Sequence, residues 1–275
     1  MRKIACLSGK GGAGKTLVAV GLAAAAGRAT YIDCDVEEPN GRLFWRPAEV
    51  ETVPVTARLP AFDAAKCTGC KQCVQFCRFH ALMYIKEAPM VFPEVCHSCG
   101  GCALVCPAGA VTEREKRVGV LERGWSGDVR TISGVLDPGE ASGVPVIRQA
   151  LREAEGLTVI DCPPGSACSV MECVMAADYC VLVAEPTAFG FHNLQMVYEL
   201  AALLGKPCGV AINKQELPYG PLEDFCRERG VPILARLPYD PQVAAWAAAG
   251  EIAARKSSRW NGVFRDLLDT IGGTP

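Results

Sequence analysis

The chain has 275 residues, half of them hydrophobic, and its 28 basic side chains are nearly matched by 30 acidic ones. That length and apolar content allow one large domain or two smaller ones, each with a core. Balanced charge gives no reason to expect bulk binding to nucleic acid or to an anionic membrane. No apolar run approaches a membrane span, and no leader with a cleavage site precedes the first motif, so a cytoplasmic protein without stable membrane insertion is expected.

The first motif lies at the start. Ile4–Leu7 reads as a strand and Leu17–Ala26 as a helix, and between them stands S-G-K-G-G-A-G-K-T, Ser8–Thr16. Strand, glycine loop and helix start form the context of a phosphate-binding loop. Gly9, Gly11, Gly12 and Gly14, with Ala13, leave backbone N–H groups free to close around phosphate oxygens. The helix N-terminus adds positive charge, Lys15 can reach the terminal phosphates, and Thr16 can coordinate Mg²⁺.

Ala29–Asp33 is a second strand, ending in D-C-D-V-E-E-P-N. Asp33 and Asp35, just past a strand end, can orient water or contact Mg²⁺; a polar loop and helix cap is the other reading. Glu51–Arg58 reads as a third strand.

The composition then changes. Among sixteen cysteines, eight fall in two runs, Cys67-x2-Cys70-x2-Cys73-x3-Cys77 and Cys96-x2-Cys99-x2-Cys102-x3-Cys106-Pro107. Each run has the spacing of a two-cluster bacterial ferredoxin, in which the fourth cysteine serves the other cluster. The expected sets are Cys67, Cys70, Cys73 and Cys106 for one [4Fe–4S] cluster, and Cys96, Cys99, Cys102 and Cys77 for the other. Structural zinc sites pair two C-x2-C elements instead. Dense thiols in a chain with no secretory leader fit metal ligation in a reducing compartment. Ala81–Val91 reads as a hairpin or short linking strands, and Glu113–Arg117 as a solvated charged linker.

Strand and helix signals alternate through the remainder. Val118–Leu121 is a strand candidate, and Ser142 precedes a helix over Val146–Glu155, which it caps or leaves for a partner. Leu157–Ile160 is an apolar strand ending at Asp161, followed by C-P-P-G-S. An acid there fits the second metal-binding carboxylate of a phosphate-loop NTPase, and Gly165 lets the next loop move. Tyr179–Ala184 and Pro207–Ile212 are further strands. Asn213, after the second, can pair with an adenine edge, and Pro238–Pro241 forms a rigid loop. In the tail, Trp260, Val263, Phe264, Leu267, Leu268 and Ile271 have helical spacing and no basic polar face, so packing onto the domain is expected rather than membrane attachment.

The loop G-K-G-G-A-G-K-T with its extra Lys10 resembles that of the MinD/ParA-like ATPases. With the spaced cysteines, Asp33–Asn40, Asp161–Gly165 and Asn213-Lys214, it looks like their subgroup with an inserted ferredoxin domain. The resemblance implies an α/β fold: a parallel-sheet deviant P-loop NTPase over residues 1–60 and 117–275, with a ferredoxin-like α+β domain inserted at 61–116. It implies ATP between two subunits of an ATP-dependent homodimer, with Lys10 reaching the partner's phosphates and Lys15 acting within its own subunit. Asp35 would position the attacking water, Asp33 and Asp161 would belong to the phosphate and metal network, Asn213 would read adenine, and Pro238 and Asp240 would flank the base.

The nitrogenase iron protein is a more distant likeness. Cys168 is spaced from Asp161 like one of that protein's bridging ligands, whereas Ala141 or Ser142 stands at the place of the other, so a third cluster would need Cys168 and Cys173. The function expected is an ATPase that gates electron transfer to a redox protein partner. The alternatives are a positioning or scaffold ATPase for a redox complex, or an iron–sulfur cluster carrier.

Overall fold

The computed structural model describes residues 2–273. In chain order, the first strand β1 (Arg2–Leu7) enters the glycine loop, from which helix α1 (Lys15–Ala25) departs. β2 (Ala29–Asp33), α2 (Gly41–Trp45) and β3 (Val50–Phe62) follow. The cysteine-rich span holds α3 (Gln72–Phe76), β4 (Leu82–Ile85), β5 (Ala88–Val91) and α4 (Gly101–Leu104). β6 (Val111–Ser126) and β7 (Val129–Leu136) are joined through Gly127-Asp128, a two-residue connection open only to antiparallel neighbours. The chain continues with α5 (Val144–Leu151), β8 (Leu157–Asp161), α6 (Cys168–Ala176), β9 (Tyr179–Ala184) and α7 (Ala188–Leu203). It closes with β10 (Cys208–Ile212), α8 (Gly220–Glu228), β11 (Ile233–Arg236), α9 (Pro241–Ala248), α10 (Ala253–Lys256) and α11 (Ser258–Gly272).

Nine strands form one sheet in the order β11-β10-β9-β1-β8-β2-β7-β6-β3. From β11 to β7 every pairing is parallel. Successive parallel strands need crossovers, which the intervening helices supply. β1 sits where the order reverses, with β9 on one side and β8 on the other, and open α/β sheets bind ligands beyond the strand ends at such a point. Strands buried on both faces read as continuous apolar runs; β9, Y-C-V-L-V-A, is buried at all six positions.

The chain divides into two compact units, one of residues 1–53, 121–135 and 147–275, the other of residues 54–120 and 136–146. In the first, the tail helix packs back: Trp260, Phe264, Leu267 and Ile271 are all buried. The fit depends on Gly21 of α1, where a Cβ would come within 2.4 Å of the Phe264 ring. Burying a ring of this size stabilises by about 1.5–3 kcal/mol. Among the described residues no helix is long and apolar enough to cross a membrane.

In the second unit, β4 and β5 pair antiparallel with Met83 opposite Met90, which gives the expected hairpin. The expected linker at Glu113–Arg117 is instead part of β6. Its charged side chains stay solvated or paired, as Glu113 is with Arg58 of β3 at 3.3 Å and Lys116 with Glu140 at 2.6 Å. Strand formation depends more on pairing partners than on composition. Ser142 Oγ accepts from Val144 N at 3.3 Å, so it caps the helix start.

Candidate nucleotide and cluster sites

The loop after β1 lies at the reversal point of the sheet. Gly14 precedes α1 with φ +92°, and a Cβ there would come within 2.0 Å of Asn213 Nδ2. Both facts demand glycine. Beyond the strand ends a cleft of about 600 Å³ is lined by Lys10, Gly11, Gly12, Gly14, Lys15 and Thr16 of the loop, with Asp35 from the segment after β2. The structure thus brings together the cations, the hydroxyl and one of the acids expected around a phosphate and its metal ion.

Beneath the cleft lies a buried polar network. Lys15 Nζ donates to Asp161 Oδ1, and Tyr31 Oη donates to Asp161 Oδ2 at 2.9 Å. Asp33 accepts from Asp35 N at 3.0 Å and from Gly41 N at 2.7 Å, which shapes the turn that presents Asp35. Asp161 and Asp33 are 1% and 0% exposed, so both depend on these partners. Burial alone would lower the Lys15 ammonium, but the neighbouring Asp161, aided by Asp33, outweighs it and holds Lys15 above its usual range. Burial pushes Asp33 up to about 7, helped by Asp161 and opposed by Lys15. Asp35, half-buried, is raised by burial to about 6, a value suited to holding a water whose proton must leave. Removing Lys15 would strand the Asp161 carboxylate, a loss of about 3–5 kcal/mol.

Backbone bonds tie the neighbouring loops: Cys34 N, after β2, donates to Asp161 O at the end of β8 at 2.9 Å, and Gly165 N, after β8, donates to Ser8 O of the glycine loop at 2.9 Å. The segment leading to α6 is thus joined to the glycine loop.

Several of the expected site residues have partners within the chain. Lys10 Nζ lies 2.7 Å from Glu185 Oε2 of its own chain. Asn213, 3% exposed, donates from Nδ2 to Ala13 O at 2.8 Å, so its amide braces the glycine loop. Asp240 caps α9 by accepting from Gln242 N at 2.9 Å, and it also accepts from Trp260 Nε1 at 3.1 Å. Asp240, Pro238 and Asn213 do not line the cleft with the loop. Cys168 is exposed at the start of α6, whereas Cys173 is buried and donates to Ser169 O at 3.4 Å. Cys173 is thus not a surface ligand for a cluster shared between two copies. Sequence reasoning missed Tyr31 and Glu185. Strand alternation puts Tyr31 on the same side of β2 as Asp33, and Glu185 follows the end of β9, so position alone was a usable signal for both.

In the second unit two small cavities are lined by cysteines. One is bounded by Cys77, Cys96, Cys99 and Cys102 with Phe76 and Phe79, the other by Cys67, Cys70, Cys73 and Cys106 with Tyr84. Each holds one complete set expected from the spacing. Ala81 N donates to Cys77 Sγ at 3.4 Å and Ala110 N to Cys106 Sγ at 3.3 Å, which fixes the positions of the two sulfurs. Among the described residues no three His, Cys, Asp or Glu side chains gather closely enough for a single metal ion. A four-iron cube is larger than one ion and takes its thiolates at separate corners, so the four-cysteine linings fit that group in donor type and number.

A mostly parallel sheet with a glycine loop at its reversal point, a loop lysine on a buried acid and a second acid over the cleft defines a P-loop nucleotide-binding protein. The CobQ/CobB/MinD/ParA nucleotide binding domain matches residues 4–253. The chain belongs to that family and is a P-loop ATPase of it. It is 31% identical over 204 residues to an uncharacterized protein of Methanocaldococcus jannaschii, covering 72% of each chain. Among solved structures it is similar to the cell division ATPase MinD of Pyrococcus furiosus, with 19% identity, 98% of each chain covered and a TM-score of 0.60. It is also similar to the septum site-determining protein MinD of Pyrococcus horikoshii OT3, solved with Mg-ADP. There the identity is 18%, with 99% of this chain and 97% of that one covered and a TM-score of 0.61.

Proposed function

We propose that this chain is an ATP-driven switch of the MinD-like positioning or scaffold kind, and that its second unit carries two [4Fe–4S] clusters. The observation that carries the switch is the convergence of Lys10, Lys15, Thr16 and Asp35 on one cleft above the buried Asp161. In this reading Lys15 exchanges Asp161 for the terminal phosphate of ATP, Thr16 holds Mg²⁺, and Asp35 orients the attacking water. Asp161, released from Lys15 but still bonded to Tyr31, shifts the loop tied to Ser8 and the start of α6. Two copies close over the nucleotide as a homodimer, and hydrolysis reopens them. The likeness to proteins named for cell division and septum-site determination supports positioning over redox coupling.

The two cysteine linings support the cluster-bearing part and favour a second reading, ATP-gated electron transfer to a redox protein partner. Clusters of this type supply electron storage when bound. Both readings are tested on anaerobically purified protein. With ATP, an Asp35→Ala variant, blocked in hydrolysis, is expected to run as a dimer and to retain a partner from its source extract, whereas with ADP it runs as a monomer. Identical behaviour in the two nucleotides would remove the switch. If the reduced protein then reduces the retained partner equally fast with ATP, ADP or neither, the redox reading falls and the positioning reading stands.

A further inference from the structure

Glu185 directly follows the last residue of β9, beside the glycine loop. Its Oε2 is 2.7 Å from Lys10 Nζ and its Oε1 is 2.7 Å from Lys214 Nζ. Lys214 Nζ also donates to Gly12 O at 2.8 Å. One carboxylate therefore bridges two lysines, of which one projects from the glycine loop and the other is bonded to the loop's backbone.

The surroundings fix this arrangement. The Lys10 ammonium lies 4.9 Å from the centre of the Phe189 ring, within cation–π range. Gly9 approaches α7 so closely that a Cβ would come within 2.3 Å of the Asn193 carbonyl oxygen. Asn193 Nδ2 in turn donates to Phe189 O at 2.6 Å, and Thr187 caps the helix by accepting from Gly190 N at 3.0 Å. Lys214 holds φ +56°, a conformation side chains disfavour, and from it reaches both Gly12 and Glu185. Burial would raise the Glu185 carboxyl, but hydrogen bonds from Lys10 and Lys214 outweigh it and hold it below its ordinary range.

Lys10 also lines the cleft with Lys15, Thr16 and Asp35. A phosphate there would attract the same ammonium that Glu185 holds, and both contacts are charge-assisted. We infer that Glu185 is a positioning residue that competes with nucleotide phosphate for Lys10. It keeps Lys10 paired within its own chain until a polyphosphate in the cleft draws the ammonium away, and Lys214 couples that exchange to the Gly12 backbone. Glu185 touches neither phosphate nor metal, and acts only through the two lysines. The inference rests on the ATP-binding reading.

The test is equilibrium binding of a fluorescent ATP analogue to the full chain, with and without Glu185→Gln, each in Lys10 and Lys10→Ala backgrounds. Glu185→Gln is expected to tighten binding roughly tenfold, the size of one lost charge-assisted hydrogen bond, and Lys10→Ala should abolish that gain. A structural glutamate would weaken binding in both backgrounds. Glu185→Asp, with a shorter reach, should give a smaller gain in the same direction and carries the test should the Gln variant not fold. Unchanged or weaker binding in both Glu185 variants overturns the inference, as does an equal gain without Lys10. Failure of the unsubstituted chain to bind nucleotide overturns instead the ATPase reading beneath it, so the two failures are distinct.

Discussion

In the nucleotide-binding unit Lys15, Asp33 and Asp161 are buried, each with charge or hydrogen-bond partners, amid a core that includes Tyr31, Tyr179 and Phe264. In the cysteine-bearing unit Phe76, Met83, Met90 and Leu104 are 46–86% exposed, while two cavities are walled by thiols. The first unit has apolar area enough to hold its fold and keep charges in fixed geometry. The second resembles small domains that need a metal or a cross-link in place of a core. Buried charge in the first is held by fixed partners; in the second, large apolar side chains stay exposed around the two cysteine-lined cavities.

The largest expected effect comes from removing a proposed cluster ligand. Cys67→Ser should cost about half the bound iron and sulfide and open residues 54–120 to proteolysis, while the other unit keeps binding ATP. Protease resistance retained at half the iron would show that side-chain packing holds this unit after all. Next comes Phe264→Ala, expected to lower unfolding stability by about 3–5 kcal/mol in a denaturant titration, with iron content unchanged. A loss under about 1 kcal/mol would mean that the tail helix is dispensable to the core, erasing half of the contrast. The smallest effect is expected from Tyr31→Phe, which removes one hydrogen bond to Asp161 at a cost of about 1.5–3 kcal/mol. Lys15 still pairs with Asp161, so ATP binding should survive, and a lost binding signal would place Tyr31 closer to the phosphate than its geometry does.

The two regions also differed in how far they could be read from sequence. The cysteine sets came from spacing alone, because ligands on one tight turn sit at fixed intervals, and the cavities hold those same sets. The glycine loop, β2 and the strand ending in Asp161 were equally legible, since each is a local pattern bounded by a strand end. Glu113–Arg117 was misread because a charged run looks the same in a linker and in a strand paired on a solvated face. The bonds that Asn213 and Asp240 make to Ala13 and Trp260 were not legible, since type and position do not reveal a partner far along the chain.

By itself the sequence determined the phosphate-loop class and the alternating α/β architecture, and its spacing sorted eight cysteines into the two sets that line the two cavities. These rest on short-range geometry: side-chain period, loop length and ligand spacing. Only the tertiary structure decided that Lys10 is held by Glu185, that Tyr31 and Lys15 share Asp161, and that Asn213 braces the loop. Those pairs join residues from 130 to 200 positions apart, between strand ends that lie close only because the sheet places β10, β9, β1, β8 and β2 side by side. No local pattern carries that information, since a buried charge takes its partner from whatever the fold brings within hydrogen-bond reach.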